Sequence, residues 1–162
     1  MTKAIFTGSF DPFTMGHLDI LKRASVLFAG VTVGVLDNIE KRAAFTAQER
    51  CALVRRVVET EGLCNVRVEA FSGLAVELAK STSSDCMLRG LRDAGDLPYE
   101  QRLEQLNLHL APDIQTIYMA ASPAYAHISS SAVKEVCAWG GNLDGLVPAP
   151  IQISIAERLM KR

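Results

Sequence analysis

A doubly wound α/β domain with a parallel sheet is the fold this sequence predicts, on three observations. Short apolar, β-branched runs alternate along the chain with segments whose apolar residues recur at helical spacing. The connections between them are short and carry Gly, Pro, Ser and Asp. No repeat, low-complexity tract or linker interrupts the alternation, and 162 residues suit one hydrophobic core. Such an alternation pairs its strands in parallel through right-handed crossovers. The expectation is one domain over residues 1–162, with five strands and helices on both faces. Ligands of such sheets lie beyond the carboxyl ends of the strands, so the loops there are where chemistry is sought.

Residues 3–8 form an apolar run that ends in glycine, and Leu18, Ile20, Leu21, Ala24, Leu27 and Phe28 then recur at helical spacing. Residues 31–36 are β-branched and continuous, as a strand buried on both faces requires. Thr46-Ala47-Gln48-Glu49 reads as a capping box opening a helix to about residue 61, with Leu53, Val54, Val57 and Val58 as its apolar face. A third strand over 65–71 and a short helix over 73–81 follow. Residues 85–89 are read as a strand that ends in the turn Arg89-Gly90-Leu91-Arg92. A helix over 96–110 carries Leu103, Leu106 and Leu110 on one side, and 114–120 is the fifth strand. Ser129-Ser130-Ser131 opens a helix that stops at Gly140-Gly141. Pro148 and Pro150 start the last one, since proline fits a first helical turn but not an interior.

The charge balance excludes some functions. Seventeen Lys+Arg against eighteen Asp+Glu leave a net charge of −1, which argues against a nucleic-acid binder. Anionic ligands must be held by local cationic clusters. No stretch reaches the length of a membrane span, and Asp11, Pro12, His17 and Asp19 interrupt the first apolar run too early for a leader peptide. Cys51, Cys64, Cys86 and Cys137 form no CxxC pair and no zinc spacing, so buried reduced thiols in a cytoplasmic protein are expected, with no protein metal site.

The first strand runs into Gly8-Ser9-Phe10-Asp11-Pro12-Phe13-Thr14-Met15-Gly16-His17 and then a helix. Gly8 and Gly16 are expected to let backbone approach a ligand and turn without a Cβ clash, and the helix start offers amides to a phosphate. His17 falls on the first turn, near such an anion. The string is neither GxGxxG nor a Walker loop. It resembles the signature of the nucleotidyltransferase superfamily with the (T/H)xGH motif. Thr14 at its first variable position is similar to the pantetheine-phosphate adenylyltransferases within that superfamily. The resemblance extends to Lys41, Phe45-Thr46, Glu49-Arg50, Arg89-Gly90-Leu91-Arg92, Tyr99-Glu100, Asn107 and Ile128-Ser129-Ser130-Ser131, followed by Val133-Lys134-Glu135.

The resemblance implies a Rossmann-like sheet and adenylyl transfer from ATP to 4′-phosphopantetheine, releasing dephospho-coenzyme A and pyrophosphate, with Mg²⁺ arriving on ATP. It implies catalytic roles for His17, Lys41 and Arg92. ATP would meet Ser9, Phe10, His17, Gly90, Leu91, Arg92, Glu100, Tyr125, Ala126, His127, Ile128, Ser129, Ser130 and Ser131. Phosphopantetheine would meet Ser9, Lys41, Leu74, Ala75 and Arg89. The family further implies a homohexamer and feedback inhibition by coenzyme A, with neither nucleic acid nor membrane as partner. The residues alone leave blander alternatives: Lys41 in a solvated loop, Glu100 as a helix-dipole acid, Ser129–Ser131 as an N-cap. His109 is expected in core or interface packing rather than as a ligand, and Trp139 is expected to pack. Tyr125 stands where many relatives carry tryptophan. The rivals are another adenylyl- or cytidylyltransferase and a non-catalytic nucleotide sensor.

Overall fold

A computed structural model describes residues 1–37 and 43–160. The elements follow in the order β1 (Lys3–Gly8), α1 (Met15–Leu27), β2 (Gly30–Leu36), α2 (Ala47–Thr60), β3 (Val66–Phe71), α3 (Ala75–Ser81), β4 (Cys86–Leu91), α4 (Leu97–Leu110), β5 (Gln115–Ala120), α5 (Ser130–Ala138) and α6 (Gln152–Leu159), with a 3-10 turn at Ala149–Ile151. All strand pairings are parallel, in the order β3-β2-β1-β4-β5. The doubly wound sheet is therefore as expected.

Alternation along the strands builds two cores. Ala4, Phe6, Val31, Val33, Val35, Cys86 and Leu88 face α1, α2, α5 and α6, whose Leu18, Leu21, Leu53, Val54, Val57, Val133 and Ile155 complete that cluster. Ile5 and Met87 face the opposite side, with Val76, Leu78 and Ala79 of α3. Burying a side chain of Leu, Ile, Val or Phe contributes about 1.5–3 kcal/mol, so these clusters carry the stability of the domain. Gly90 serves this packing: a Cβ there would lie 2.4 Å from Ile20 Cδ1 of α1.

The arrangement that positions the site is the short β1–β4 ladder. Six residue pairs join β1 to β2, but β1 meets β4 only through Ala4–Cys86, Ile5–Met87 and Phe6–Leu88. Beyond Phe6 and Leu88 the two strands part, at the point where chain order reverses across the sheet. Such a switch point opens a crevice.

Three sequence expectations need correction. Arg89, Gly90 and Leu91 belong to β4 rather than to a turn, because they continue the ladder with Tyr118, Met119 and Ala120 of β5. Among the cysteines Cys64 is exposed, since it sits in the turn after α2 instead of on an apolar face. On α4 only Glu100 is buried, whereas His109 is exposed and Leu106 and Leu110 are 63% and 47% exposed. The helix turns a carboxylate inward and leaves Leu106 and Leu110 outward, while Leu97, Leu103 and Leu108 are half-buried.

Candidate active site

Thr14 and His17 form a reciprocal cap at the start of α1. Thr14 is the N-cap residue, and its Oγ1 accepts from the His17 amide at 3.4 Å. In return His17 Nδ1 accepts from the Thr14 amide at 3.0 Å. Histidine thus takes the place that glutamate holds in an ordinary capping box. The consequence is chemical: an Nδ1 that accepts a backbone N–H carries no proton, so the neutral ring holds its hydrogen on Nε2. Phe10, Phe13 and Phe6 enclose the ring, with centroids at 5.1, 5.4 and 6.4 Å. Burial first, then the positive charges of Arg92 and Arg89, lower the imidazole from 6.5 to about 4. His17 is therefore a neutral hydrogen-bond donor at physiological pH.

Phe10 holds the loop in a left-handed conformation, at φ 49°, and its side chain is 2% exposed. A Cβ on Gly8 would lie 3.0 Å from the Phe10 ring, so glycine there admits the ring rather than supplying a special turn. Gly16 has no left-handed φ and room for ordinary contact, so the turn itself does not require glycine there.

Where β1 and β4 part, Arg89 bridges the gap. Its Nη1 donates to the Thr7 carbonyl at 2.6 Å and to Thr7 Oγ1 at 3.0 Å. Nε and Nη2 fork onto the Glu100 carboxylate at 2.6 and 2.9 Å. Most of the guanidinium donors are thus committed inside the protein, and Glu100, itself 8% exposed, is the partner that makes this burial tolerable. Arg92, three residues on, is held differently: its side chain is 45% exposed and forks onto Asp96, four residues along the chain.

Two residues named in the sequence motifs but given no role there organise the loops. Asp11, 5% exposed, accepts from the amides of Ala44 at 3.0 Å and Phe45 at 3.1 Å and from Lys134 Nζ at 3.1 Å. Arg50, 1% exposed, donates to the carbonyls of Ser9 at 2.6 Å, Leu36 at 2.9 Å and Phe45 at 3.0 Å, and to Asp37. The β1–α1 loop is thereby tied to both described flanks of the segment after β2. A signal for Arg50 was present, because it lies three and four residues before Leu53 and Val54 on the apolar stripe of α2. Lys41 lies outside the described residues.

On the other side of the crevice, Ser129 caps α5 by accepting from the Ala132 amide at 3.1 Å, and Ser130 Oγ donates to the Pro12 carbonyl at 2.8 Å. Asp19 of α1 takes the amide and hydroxyl of Ser122 at 3.1 and 2.8 Å. Tyr125 packs against the core, its carbonyl accepting from Ile128 at 3.0 Å and lying 3.5 Å from where a Gly16 Cβ would be. Ala126 and His127 complete that turn. Arg89 thus meets Glu100, the charges of Arg89 and Arg92 bear on His17, and Ser130 meets the loop that carries Ser9 and His17. Leu74 and Ala75 lie farther along the same carboxyl edge, where Leu74 is the N-cap residue of α3 and 52% exposed. Among the described residues no group of three or more His, Cys, Asp or Glu side chains could hold a metal ion. No helix among them is long and apolar enough to cross a membrane.

Comparison with known proteins follows this geometry. The cytidylyltransferase-like family matches residues 5–136. A phosphopantetheine adenylyltransferase of Clostridium kluyveri is 44% identical over 161 residues, covering 99% of this chain and 97% of that protein. One from Streptomyces coelicolor is 43% identical over 162 residues, with both chains covered completely. The chain belongs to the phosphopantetheine adenylyltransferase family. It is accordingly a nucleotidyltransferase, and the rival reading as a non-catalytic sensor is set aside. The fold extends wider than that family: a Plasmodium falciparum nicotinic acid mononucleotide adenylyltransferase complexed with NaAD superposes with a TM-score of 0.70 at 15% identity, covering 95% of this chain and 93% of that one.

Proposed function

We propose that this chain transfers the adenylyl group of ATP reversibly to 4′-phosphopantetheine, giving dephospho-coenzyme A and pyrophosphate, by direct in-line attack without a covalent enzyme intermediate. A pantetheine phosphate oxygen bonds to the α-phosphorus as the bridge to the β-phosphate breaks, and pyrophosphate leaves with the electron pair. The nucleophile is already anionic, so no general base is needed. Catalysis is then positioning, together with stabilisation of charge on the transferring phosphoryl group. The observation that carries the reading is the Thr14–His17 cap, which leaves Nε2–H as a fixed neutral donor beside two arginines.

His17, Lys41 and Arg92 are the catalytic set in this reading. Ser9, Phe10, Gly90, Leu91, Glu100, residues 125–128 and the three serines contact ATP. Ser9, Lys41, Leu74, Ala75 and Arg89 receive phosphopantetheine. Asp11 and Glu100 are engaged by amides or cations and Asp96 by Arg92, so Mg²⁺ fits best as an ion carried by ATP on phosphate and water oxygens. When bound, it neutralises the β- and γ-phosphates of the leaving group. The exposed Tyr99, Leu106 and Leu110 of α4 and Ile117 of β5 support a homo-oligomer, proposed as a hexamer. Feedback by coenzyme A and a cytoplasmic location belong to the same proposal.

Replacing His17 tests it. His17→Ala lowers kcat by about 100-fold or more, as loss of a preorganised donor does, while ATP affinity changes much less. A variant with near-normal kcat removes His17 from the mechanism.

A further inference from the structure

Asp96 occupies the N-cap position of α4 yet makes no side-chain bond to the amides of that helix. An N-cap carboxylate ordinarily accepts from the amide at the second or third helical position. Here the second is Pro98, which has no N–H, and the third is Tyr99. The carboxylate instead turns back to Arg92, taking its amide at 2.9 Å, Nε at 3.0 Å and Nη2 at 2.7 Å. Arg92 follows directly on β4 at the mouth of the crevice, and its charge is felt by His17.

The two arginines of the crevice are therefore held in unequal ways. The Arg89–Glu100 pair is 22% and 10% exposed and is anchored on Thr7 as well. Exchanging that pair for a substrate anion would strand a buried carboxylate. The Arg92–Asp96 pair is 45% and 22% exposed, so water can take over either partner. Exposed pairs of this kind are weak, and a polyphosphate is a stronger bidentate partner for guanidinium than one carboxylate.

We propose that Asp96 is a positioning residue that holds the Arg92 guanidinium near its working position and yields it to the phosphates of ATP. This rests on the reading of the crevice as an ATP site. The pairing holds a long cation in one rotamer near its working position at the cost of some nucleotide affinity. The hydrogen bonds to Arg92 lower the Asp96 carboxyl below its ordinary value, as a carboxylate serving a guanidinium should be.

Titration of the intact enzyme with ATP decides the matter. Asp96→Asn keeps the size of the side chain and an oxygen for the Arg92 amide, but gives up the ion pair. Its Kd for ATP falls about three- to fivefold, the range expected on releasing an exposed pair. In steady state the gain appears in KM for ATP and not in KM for phosphopantetheine. In an Arg92→Ala background the same substitution leaves the Kd unchanged, which a general effect of removing negative charge would not. Unchanged or weaker ATP binding by Asp96→Asn overturns the proposal, and so does an equal gain in the Arg92→Ala background. Absence of turnover by the wild type with ATP and phosphopantetheine would instead overturn the functional reading, while the ATP titrations still judge the role of Asp96.

Discussion

Acidification singles out His17. In the folded chain its imidazole titrates at about 4 rather than 6.5, because burial and two neighbouring guanidinium groups oppose a charge there. Protonating Nδ1 would also break the bond from the Thr14 amide at 3.0 Å. Between these two values the unfolded chain binds a proton that the folded chain refuses, so stability rises with pH across that window. The interval corresponds to about 3 kcal/mol at 1.36 kcal/mol per unit. This stability is fully present above pH 6.5 and is lost as pH falls towards 4. His17→Asn places an amide oxygen near the position of Nδ1 and has nothing to titrate. Urea unfolding of both proteins at a series of pH values should therefore show the wild type losing about 3 kcal/mol relative to the variant between pH 7 and 4. Nitrogen-15 NMR of the imidazole reads the same event directly, with the proton on Nε2 down to about pH 5. A midpoint near 6.5, or a ring protonated on Nδ1 at neutral pH, would refute the argument from the cap and the aromatic enclosure.

Arg89 and the buried Arg50 make further predictions. Arg89→Ala raises KM for phosphopantetheine far more than KM for ATP, and it also destabilises the fold by about 2–4 kcal/mol, because Glu100 and the Thr7 carbonyl lose their partner; paired kinetics and melts check both. Arg89→Lys recovers little of either, since an ammonium cannot fork onto Glu100 while reaching Thr7. Arg50→Met leaves the carbonyls of Ser9, Leu36 and Phe45 without their donor and costs about 3 kcal/mol or more in chemical unfolding. Activity of Arg50→Met at a temperature where it remains folded falls as well, since the first loop is no longer tied to α2. A stable, fully active Arg50→Met would contradict the organising role given to that side chain.

The fold was readable because it is written in periodicity. The apolar run over 31–36 and the capping box at Thr46 and Glu49 appear in the structure as β2 and the start of α2. The boundary at Arg89 was misread, because an arginine and a glycine look like a turn when the pairing with β5 is unseen. The helix start that carries His17 was legible in the Gly8–His17 string, but its physics was not. That Thr14 and His17 cap each other depends on a helix start that only coordinates fix. Asp11, Arg50 and Asp96 were missed for a shared reason. Each acts through bonds to partners set by the folded backbone: loop amides and Lys134 for Asp11, carbonyls for Arg50, and an arginine amide for an acid that leaves its own helix uncapped. Charge in a sequence ordinarily means surface, and although Arg50 lies on the apolar stripe of α2, the burial of Asp11 emerges only when the chain closes around it.

The central claim is adenylyl transfer between two phosphates, and one measurement addresses it most directly. Purified protein is incubated with Mg²⁺, ATP and 4′-phosphopantetheine, pyrophosphate release is followed, and the pantetheine product is weighed by mass spectrometry. The expected result is one pyrophosphate for each dephospho-coenzyme A, no release when phosphopantetheine is omitted, and ATP regenerated when product and pyrophosphate are supplied. Orthophosphate or AMP formed without an acceptor, or transfer to nicotinate mononucleotide in preference to phosphopantetheine, would contradict it.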